Sequence, residues 1–554
     1  MSLAAPLPTE VRTAALRWIA DDPSPADRDE LQRVLADAMA GRGEAVADLT
    51  DRMRAPLTFG TAGLRGPLRA GPAGMNLAVV RRAAAGIGRH LRATGAAGRT
   101  VIVGHDARHR SAEFARDAAG VLAAQGFTAL LAPGPLPTPV TAFAVRHLGA
   151  AAGVQITASH NPPNDNGVKV YLADGAQLVG PADARIEAEI AAVPAAVSVD
   201  VGSPGAWPDD LVDAYVDRLG ELARTAPAAD RSSLRVALTP MHGVGGEVTV
   251  RGLRAAGITD VHVVAAQAVP DPDFPTVPFP NPEEPGATDR LLALAADVDA
   301  HLAIALDPDA DRCALGIPGP DGWRMLTGDE AGALLGDHLL RTLDRTAHPD
   351  PLVATTIVSG EQLQAIAARH GARYDETLTG FKWIVRAGDG SGTGLVFGYE
   401  EALGLCVDPG VVRDKDGISA AVVAADLTAL LRSTGATVTD RLAEIVDADG
   451  LFVTGPLSIR VTRLADISDA MRRIRATPPT ELLGDDITES ADLLPRTDAV
   501  RWRTTRARVV VRPSGTEPKL KAYLQVRGTD GQSADQVRAD LDRLREEVRA
   551  VLGL

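Results

Sequence analysis

Five stretches of this chain carry side chains whose types and spacing could do chemistry, and the most demanding is AAAGVQITASHNPPNDNGVKVY at 150–171. Val154 and Ile156 flank Gln155 in an apolar run that reads as a short buried strand. The run stops at Thr157-Ala158-Ser159-His160-Asn161. Pro162 and Pro163 cannot continue a sheet ladder, and a residue before proline is pushed out of the helical region. Ser159 is therefore expected on a rigid loop at a strand end. Asn166-Gly167 predicts a turn and Val168–Tyr171 a returning strand, which brings Lys169 near Ser159. A serine hydroxyl is a weak nucleophile unless it is activated or already carries the group to be transferred. No Gly-x-Ser-x-Gly elbow surrounds Ser159, which argues against a hydrolase. A capping serine in a proline-rich loop is the alternative these residues allow.

The second stretch is Asp307-Pro308-Asp309-Ala310-Asp311-Arg312, after the apolar run His301–Leu306. Alternate carboxylates fall on one side of an extended segment. Three clustered anions repel unless a hard cation lies between them, and oxygen ligands suit Mg²⁺. An EF-hand is excluded, because its sixth and twelfth positions would be Arg312 and Pro318. An aspartyl-phosphate phosphatase loop is disfavoured, because Asp311 stands where a Thr or Val is needed; a solvated acidic turn is the alternative. In FGTAGLRG at 59–66 the glycines allow close backbone approach to a ligand, and Arg65 is a natural phosphate partner. In FGYEEALG at 397–404, Glu400 and Glu401 could accept hydrogen bonds from vicinal sugar hydroxyls, or form an acidic helix start. In RPSGTEPKLK at 512–521, an arginine and two hydroxyls around a glycine would make a phosphate clamp, or a polar hairpin turn.

Taken together, these motifs resemble those of the α-D-phosphohexomutase family, which includes phosphoglucomutase and phosphomannomutase. TASHNPP with NGVKVY resembles the family's phosphoserine loop, DPDADR its metal loop, GYEEALG its sugar-specificity loop and RPSGTEPK its phosphate-binding loop. The resemblance spans about residues 55–530, in the family's order. It is closest to the phosphopentomutase-containing branch at TLTGFKWI (377–384) and RDKDG (413–417). It implies that Ser159 carries the phosphoryl group, that Asp307, Asp309 and Asp311 with the phosphoserine hold one Mg²⁺, and that Arg65, His160 and Lys169 serve the transfer. It implies substrate contacts from Arg312, Gly380, Lys382, Glu400, Glu401, Lys415, Arg512, Ser514, Gly515 and Thr516. The expected reaction interconverts glucose 1-phosphate and glucose 6-phosphate through glucose 1,6-bisphosphate, with Lys169 or His160 shuttling the hydroxyl proton. Ala402 departs from a serine common in the family. Mannose and pentose phosphates are the rival substrates, sugar-bisphosphate synthesis the rival reaction, and a non-enzymatic sugar-phosphate sensor a third possibility.

The bulk properties fit a small-molecule enzyme. A net charge of −15 argues against nucleic acid as the main partner, and any phosphate site then needs a local basic cluster. Cys313 and Cys406 are far apart and form no CxxC pair, which points to a reduced, cytoplasmic setting. No apolar run of about 18 residues and no signal-peptide pattern is present, so no membrane partner is expected. A monomer or homodimer is the expected state. Only five lysines occur, Lys169, Lys382, Lys415, Lys519 and Lys521. A compact ammonium differs chemically from a guanidinium, so in so Arg-rich a chain these lysines mark positions where arginine fails. All five fall inside the motifs above.

The elements that must position these motifs alternate between strand and helix, which implies α/β domains. The expected architecture is four domains around a central cleft: three related α/β mixed-sheet domains and a C-terminal α+β domain. Residues 1–54 read as a helical preface, with Ser24-Pro25-Ala26-Asp27 capping a helix to about Gly41. The phosphoserine domain is placed at 55–205, the metal domain at 206–345, the sugar-specificity domain at 346–450 and the phosphate-binding domain at 451–554. His105 and His109 in GHDARHRS lack metal-ligand spacing and read as structural or as supports behind a neighbouring site. The proline-rich segment 269–285 reads as an extended surface loop. In such sheets ligands bind at strand ends, where each motif falls.

Overall fold

The structure is a computed structural model that describes residues 6–60, 63–461, 463–514 and 519–553. The chain forms two compact units, residues 1–324 with 408–429 and residues 325–407 with 430–554.

The first unit opens with helices Thr9–Asp21, Pro25–Met39 and Gly43–Arg52. Ser24 caps the second as its sequence requires, accepting from the Asp27 N–H, with Pro25 at the first helical position. Ala15, Leu31, Leu35, Ala38 and Leu49 bury a small core with Ala70. The first sheet contains β1 (Leu64–Pro67), β2 (Thr100–His105), β3 (Thr128–Leu131), β4 (Ala152–Ile156), β5 (Asp165–Leu172) and β6 (Gly205–Ala206), in the order β1-β5-β4-β2-β3-β6. Strands β4, β2, β3 and β6 are parallel, β5 runs antiparallel to β4, and β1 pairs antiparallel with β5 and so shares the direction of the others. Helices Leu77–Ala93 and Ser111–Ala124 contribute Val80, Ile87, Phe114 and Val121 to the core that Val101, Val103, Val154 and Ile156 line from the sheet.

The second sheet contains β7 (Arg235–Thr239), β8 (Asp260–Val263), β9 (Leu302–Leu306), β10 (Cys313–Gly319) and β11 (Gly322–Met325), ordered β11-β10-β9-β7-β8. Strand β9 is wholly buried and parallel to β7, and the chain leaves it into the three aspartates.

The second unit holds a sheet of β12 (Leu352–Thr356), β13 (Arg373–Thr377), β14 (Leu395–Glu400) and β15 (Gly404–Cys406), ordered β13-β12-β14-β15. Its last sheet is antiparallel. Strands β16 (Phe452–Arg460), β19 (Glu489–Asp492), β20 (Val500–Arg503), β21 (Ala507–Pro513) and β22 (Lys519–Arg527) run in the order β16-β22-β21-β20-β19, beside a two-stranded ribbon of β17 (Glu481–Leu482) and β18 (Asp485–Asp486). Three mixed α/β sheets followed by an antiparallel C-terminal sheet is the fold class expected from the sequence. Among the described residues, no single helix is long and apolar enough to cross a membrane.

Three local expectations change. Asn166-Gly167 does not turn the chain but lies inside β5, paired with Gly66 and Arg65 of β1. Reversal occurs earlier, over 157–164, where turns and bends between β4 and β5 hold the two prolines. The aspartate loop is not extended: Ala310 N–H bonds to Asp307 C=O at 2.9 Å and Ala310 adopts φ 58. A tight turn, rather than strand alternation, brings the carboxylates together. The proline-rich segment is not wholly at the surface either, since Phe274 and Val277 are buried and Arg108 stacks over the Phe274 ring at 5.0 Å.

Candidate functional site

Register places the basic residue of the phosphoserine-like hairpin. Strand β5 pairs with β4 so that Lys169 stands opposite Gln155 and Val168 opposite Ile156. Gln155 is fully buried and bonded to Thr141 and the Leu136 carbonyl, so the sheet here is fixed through side chains as well as backbone. The Lys169 ammonium reaches Asp309 Oδ2 at 2.7 Å and Asp311 Oδ2 at 2.5 Å, and all three residues are buried. At the end of β4, Ser159 sits at φ 55, a left-handed conformation that non-glycine residues adopt at a cost. Its Oγ donates to Asp307 Oδ2 at 2.7 Å and lies 3.2 Å from His160 Nδ1. Ser159, Lys169 and the aspartates thus share one buried cluster.

The three carboxylates offer oxygens within 4.8 Å of one another. Thr138 donates to Asp309 Oδ2 at 2.5 Å, and the Asp307 Oδ1 accepts the Arg312 N–H at 3.0 Å. Asp309 Oδ1 and Asp311 Oδ1 are buried and have no hydrogen-bond partner among the described residues. Buried unsatisfied acceptors are costly, and a set of hard carboxylate oxygens with two left open fits a divalent cation such as Mg²⁺. Burial pushes the Asp307 carboxyl well above the ordinary value, and its two anionic neighbours push it further. Burial acts on Asp309 and Asp311 in the same direction, but the Lys169 ammonium, joined by the Thr138 hydroxyl at Asp309 and by Lys415 and Arg312 at Asp311, outweighs it and holds both below the ordinary value. Lys415 adds a second ammonium 3.2 Å from Asp311 Oδ2. Its loop is pinned within the same unit, where Asp414 accepts from Tyr171 and Gln177 and Asp416 from Tyr215.

Two arginines approach Ser159. Arg65 bonds Asn161 Oδ1 at 3.3 Å through one terminal nitrogen, while its buried Nε has no partner among the described residues. Arg108 is 4 % exposed, which leaves its guanidinium bonded to protein rather than to water. It donates to the carbonyls of Ser159 at 2.5 Å, Asn161 at 2.6 Å and Pro162 at 2.7 Å, and to Asp165 at 3.3 Å. Burial, with the Arg312 and Arg65 cations, keeps the His160 imidazole well below its usual pKa and therefore neutral. His105 bonds the Asp106 carbonyl and His109 bonds Asp273, in keeping with structural roles.

The second unit carries the other sequence candidates. Gly380 adopts φ 117, open to glycine, and its N–H bonds Glu400 Oε1 at 2.9 Å; Lys382 lies in the short helix that follows. Glu401 Oε2 accepts from Ser359 Oγ at 2.8 Å. Burial, then the charges of Glu400 and Asp329, push the Glu401 carboxyl up to about 7. Arg512 is on β21 opposite Lys521, and Ser514 N–H bonds the Lys519 carbonyl at 2.9 Å. Gly515 and Thr516 lie outside the described residues.

Sequence reasoning missed Arg108, Thr138, Ser359 and Arg508. Arg508 donates to the carbonyls of Ser359 and Ile357 and to Glu376, each at 2.6 Å. For Arg108 a signal was present: an arginine in GHDARHRS, at the end of a strand next to the serine's own. The other three, Thr138 at a helix start, Ser359 in a loop and Arg508 in β21, carry no such mark.

Four family models match the chain in succession. They are the phosphoglucomutase/phosphomannomutase alpha/beta/alpha domains I, II and III at residues 56–196, 213–318 and 327–448, and the C-terminal domain at 420–544. A probable phosphomannomutase of Haemophilus influenzae is 42% identical over 490 residues, covering 86% of this chain and 98% of the relative. A probable phosphoribomutase of Schizosaccharomyces pombe is 34% identical over 559 residues, covering 92% of this chain and 93% of the relative. A phosphoglucomutase of Staphylococcus aureus is 32% identical over 510 residues, covering 86% and 91%.

Proposed function

Because this chain belongs to the α-D-phosphohexomutase family and is an intramolecular phosphotransferase of that family, we propose that it interconverts glucose 1-phosphate and glucose 6-phosphate through a phosphorylated Ser159. The observation that carries this reading is Ser159 Oγ at 2.7 Å from Asp307, inside a buried cluster of three carboxylates with two unsatisfied oxygens. A Mg²⁺ ion held by Asp307, Asp309 and Asp311 would neutralise charge on the phosphoryl group. Transfer of this kind needs positioning and charge neutralisation more than covalent help.

In the first half-reaction the sugar 6-hydroxyl attacks the phosphorus on Ser159, the bond from phosphorus to Oγ breaks, and the hydroxyl proton is passed on. Ser159 Oγ then recovers a phosphoryl group from C1 of the bisphosphate. His160 Nδ1, neutral and 3.2 Å from Oγ, is the imidazole nitrogen placed to exchange a proton with the serine hydroxyl, beside the Asp307 carboxylate at 2.7 Å. The Lys169 ammonium, held by two carboxylates that raise its pKa against the effect of burial, supplies positive charge. Arg65 has a buried Nε, without a partner among the described residues, that suits a phosphate oxygen, and Arg312 follows directly on the three aspartates. Glu400, Glu401, Gly380 and Lys382 bind the sugar, and Arg512, Ser514, Gly515 and Thr516 hold the phosphate that is not reacting, with Lys415 near the metal cluster.

Ribose phosphates are the second reading, favoured by the S. pombe relative's name and its 92% coverage of this chain. Mutase rates measured side by side on glucose, mannose and ribose 1-phosphates decide between them. Ser159→Ala should abolish activity on every sugar and remove one phosphate's mass from the intact protein. Activity near that of the unmodified enzyme would refute the assignment.

A further inference from the structure

Ser359 lies in none of the motifs that carry the chemistry, yet it is the direct support of Glu401. Its hydroxyl donates to Glu401 Oε2 at 2.8 Å and accepts the Glu401 N–H at 3.3 Å, while Thr356 Oγ1 lies 2.9 Å away. Ser359 is 1 % exposed, so water does not compete for these bonds. The serine is itself held. Arg508 of β21 donates to the Ser359 and Ile357 carbonyls, and Asp329 accepts the Gly360 N–H at 2.6 Å and the Tyr399 hydroxyl at 2.9 Å. The backbone of Glu401 is fixed from the other side, since a Cβ on Gly328 would stand 1.9 Å from the Glu401 carbonyl oxygen. Only the Glu401 side chain is left to be aimed, and Ser359 holds one of its two oxygens.

We propose that Ser359 is a positioning residue that sets the rotamer of Glu401, and that Arg508 holds it there, so that the C-terminal sheet helps decide which sugar is accepted. This rests on the reading of Glu401 as a sugar ligand. With Oε2 committed to Ser359, Oε1 is the oxygen presented to a hydroxyl, at a position set by three buried elements. Sugars that differ in one hydroxyl are then distinguished by whether an acceptor is met or missed.

The test uses the full-length enzyme and the sugar 1-phosphate it turns over fastest, with Ser359→Ala, Ser359→Thr, Glu401→Gln and the double variant. Ser359→Ala should raise KM about tenfold or more, in line with loss of a hydrogen bond to a charged group, with kcat changed less than threefold. Phosphate occupancy of Ser159, read by intact mass, should not change. Ser359→Thr should restore KM, and the double variant should be no worse than Glu401→Gln alone, because Ser359 acts through Glu401. If Glu401→Gln raises KM and Ser359→Ala does not, the proposal is overturned and the proposed function stands. Additive effects in the double variant overturn it as well. If Glu401→Gln leaves KM unchanged, the sugar-ligand reading itself falls, and the proposal with it.

Discussion

Arg108 offers the sharpest test of how the Ser159 loop is held. Ser159 occupies a left-handed backbone conformation costing about 1–3 kcal/mol, so the loop stays there only if its surroundings enforce it. Among the described residues, the Arg108 guanidinium bonds three loop carbonyls, at Ser159, Asn161 and Pro162, and a fourth at Asp165. Arg108→Lys keeps the charge, but a compact ammonium cannot span that planar fork. Loss of two of the four bonds, each worth about 1.5–3 kcal/mol when the donor is charged, removes about 3–6 kcal/mol from the loop. Rehydration of the freed carbonyls returns part of this. A net loss of about 3 kcal/mol is enough to release the strained serine and corresponds to about 150-fold in rate. A coupled mutase assay should therefore show kcat reduced about 100-fold or more, while circular dichroism shows an intact fold. Phosphate on Ser159 should fall in parallel by intact mass. A lysine variant within threefold of the starting kcat, with normal phosphate occupancy, would refute the argument that these bonds hold Ser159.

Three further outcomes follow from the same site. Exhaustive chelation should eliminate activity and added Mg²⁺ should restore it, checked by metal titration; full activity in the chelated enzyme would contradict the cation reading of the three aspartates. Glu401, pushed up to about 7, should give kcat/KM a limb that rises with pH through that value as the carboxylate forms, and Glu401→Gln should flatten it. The linked stability effect has the opposite sign: a carboxyl with a raised folded pKa stabilises the fold below about 4.5 and loses that contribution as pH rises towards 7, so the Gln variant should lack this slope in urea titrations at pH 4.5–7.

What the sequence determined by itself is the chemistry carried on contiguous residues. Pro162 and Pro163 bar a strand from running on through the Ser159 segment, and three aspartates within five residues come together readily in a compact turn. Strand β9 was legible because an unbroken apolar run admits little else. Where local signals competed, the neighbouring strand won: Asn166-Gly167 carries a strong turn signal, yet it pairs with β1 inside β5. Only the tertiary structure decided which arginine grips the Ser159 loop, that Lys169 lies between Asp309 and Asp311, and that Arg508 braces Ser359. These partners lie 51, 140 and 149 residues apart in the chain, and one buried guanidinium looks like any other basic residue until packing removes its water. A hydrogen bond that is weak in solvent becomes decisive when burial leaves it no substitute, and burial is a property of the whole fold.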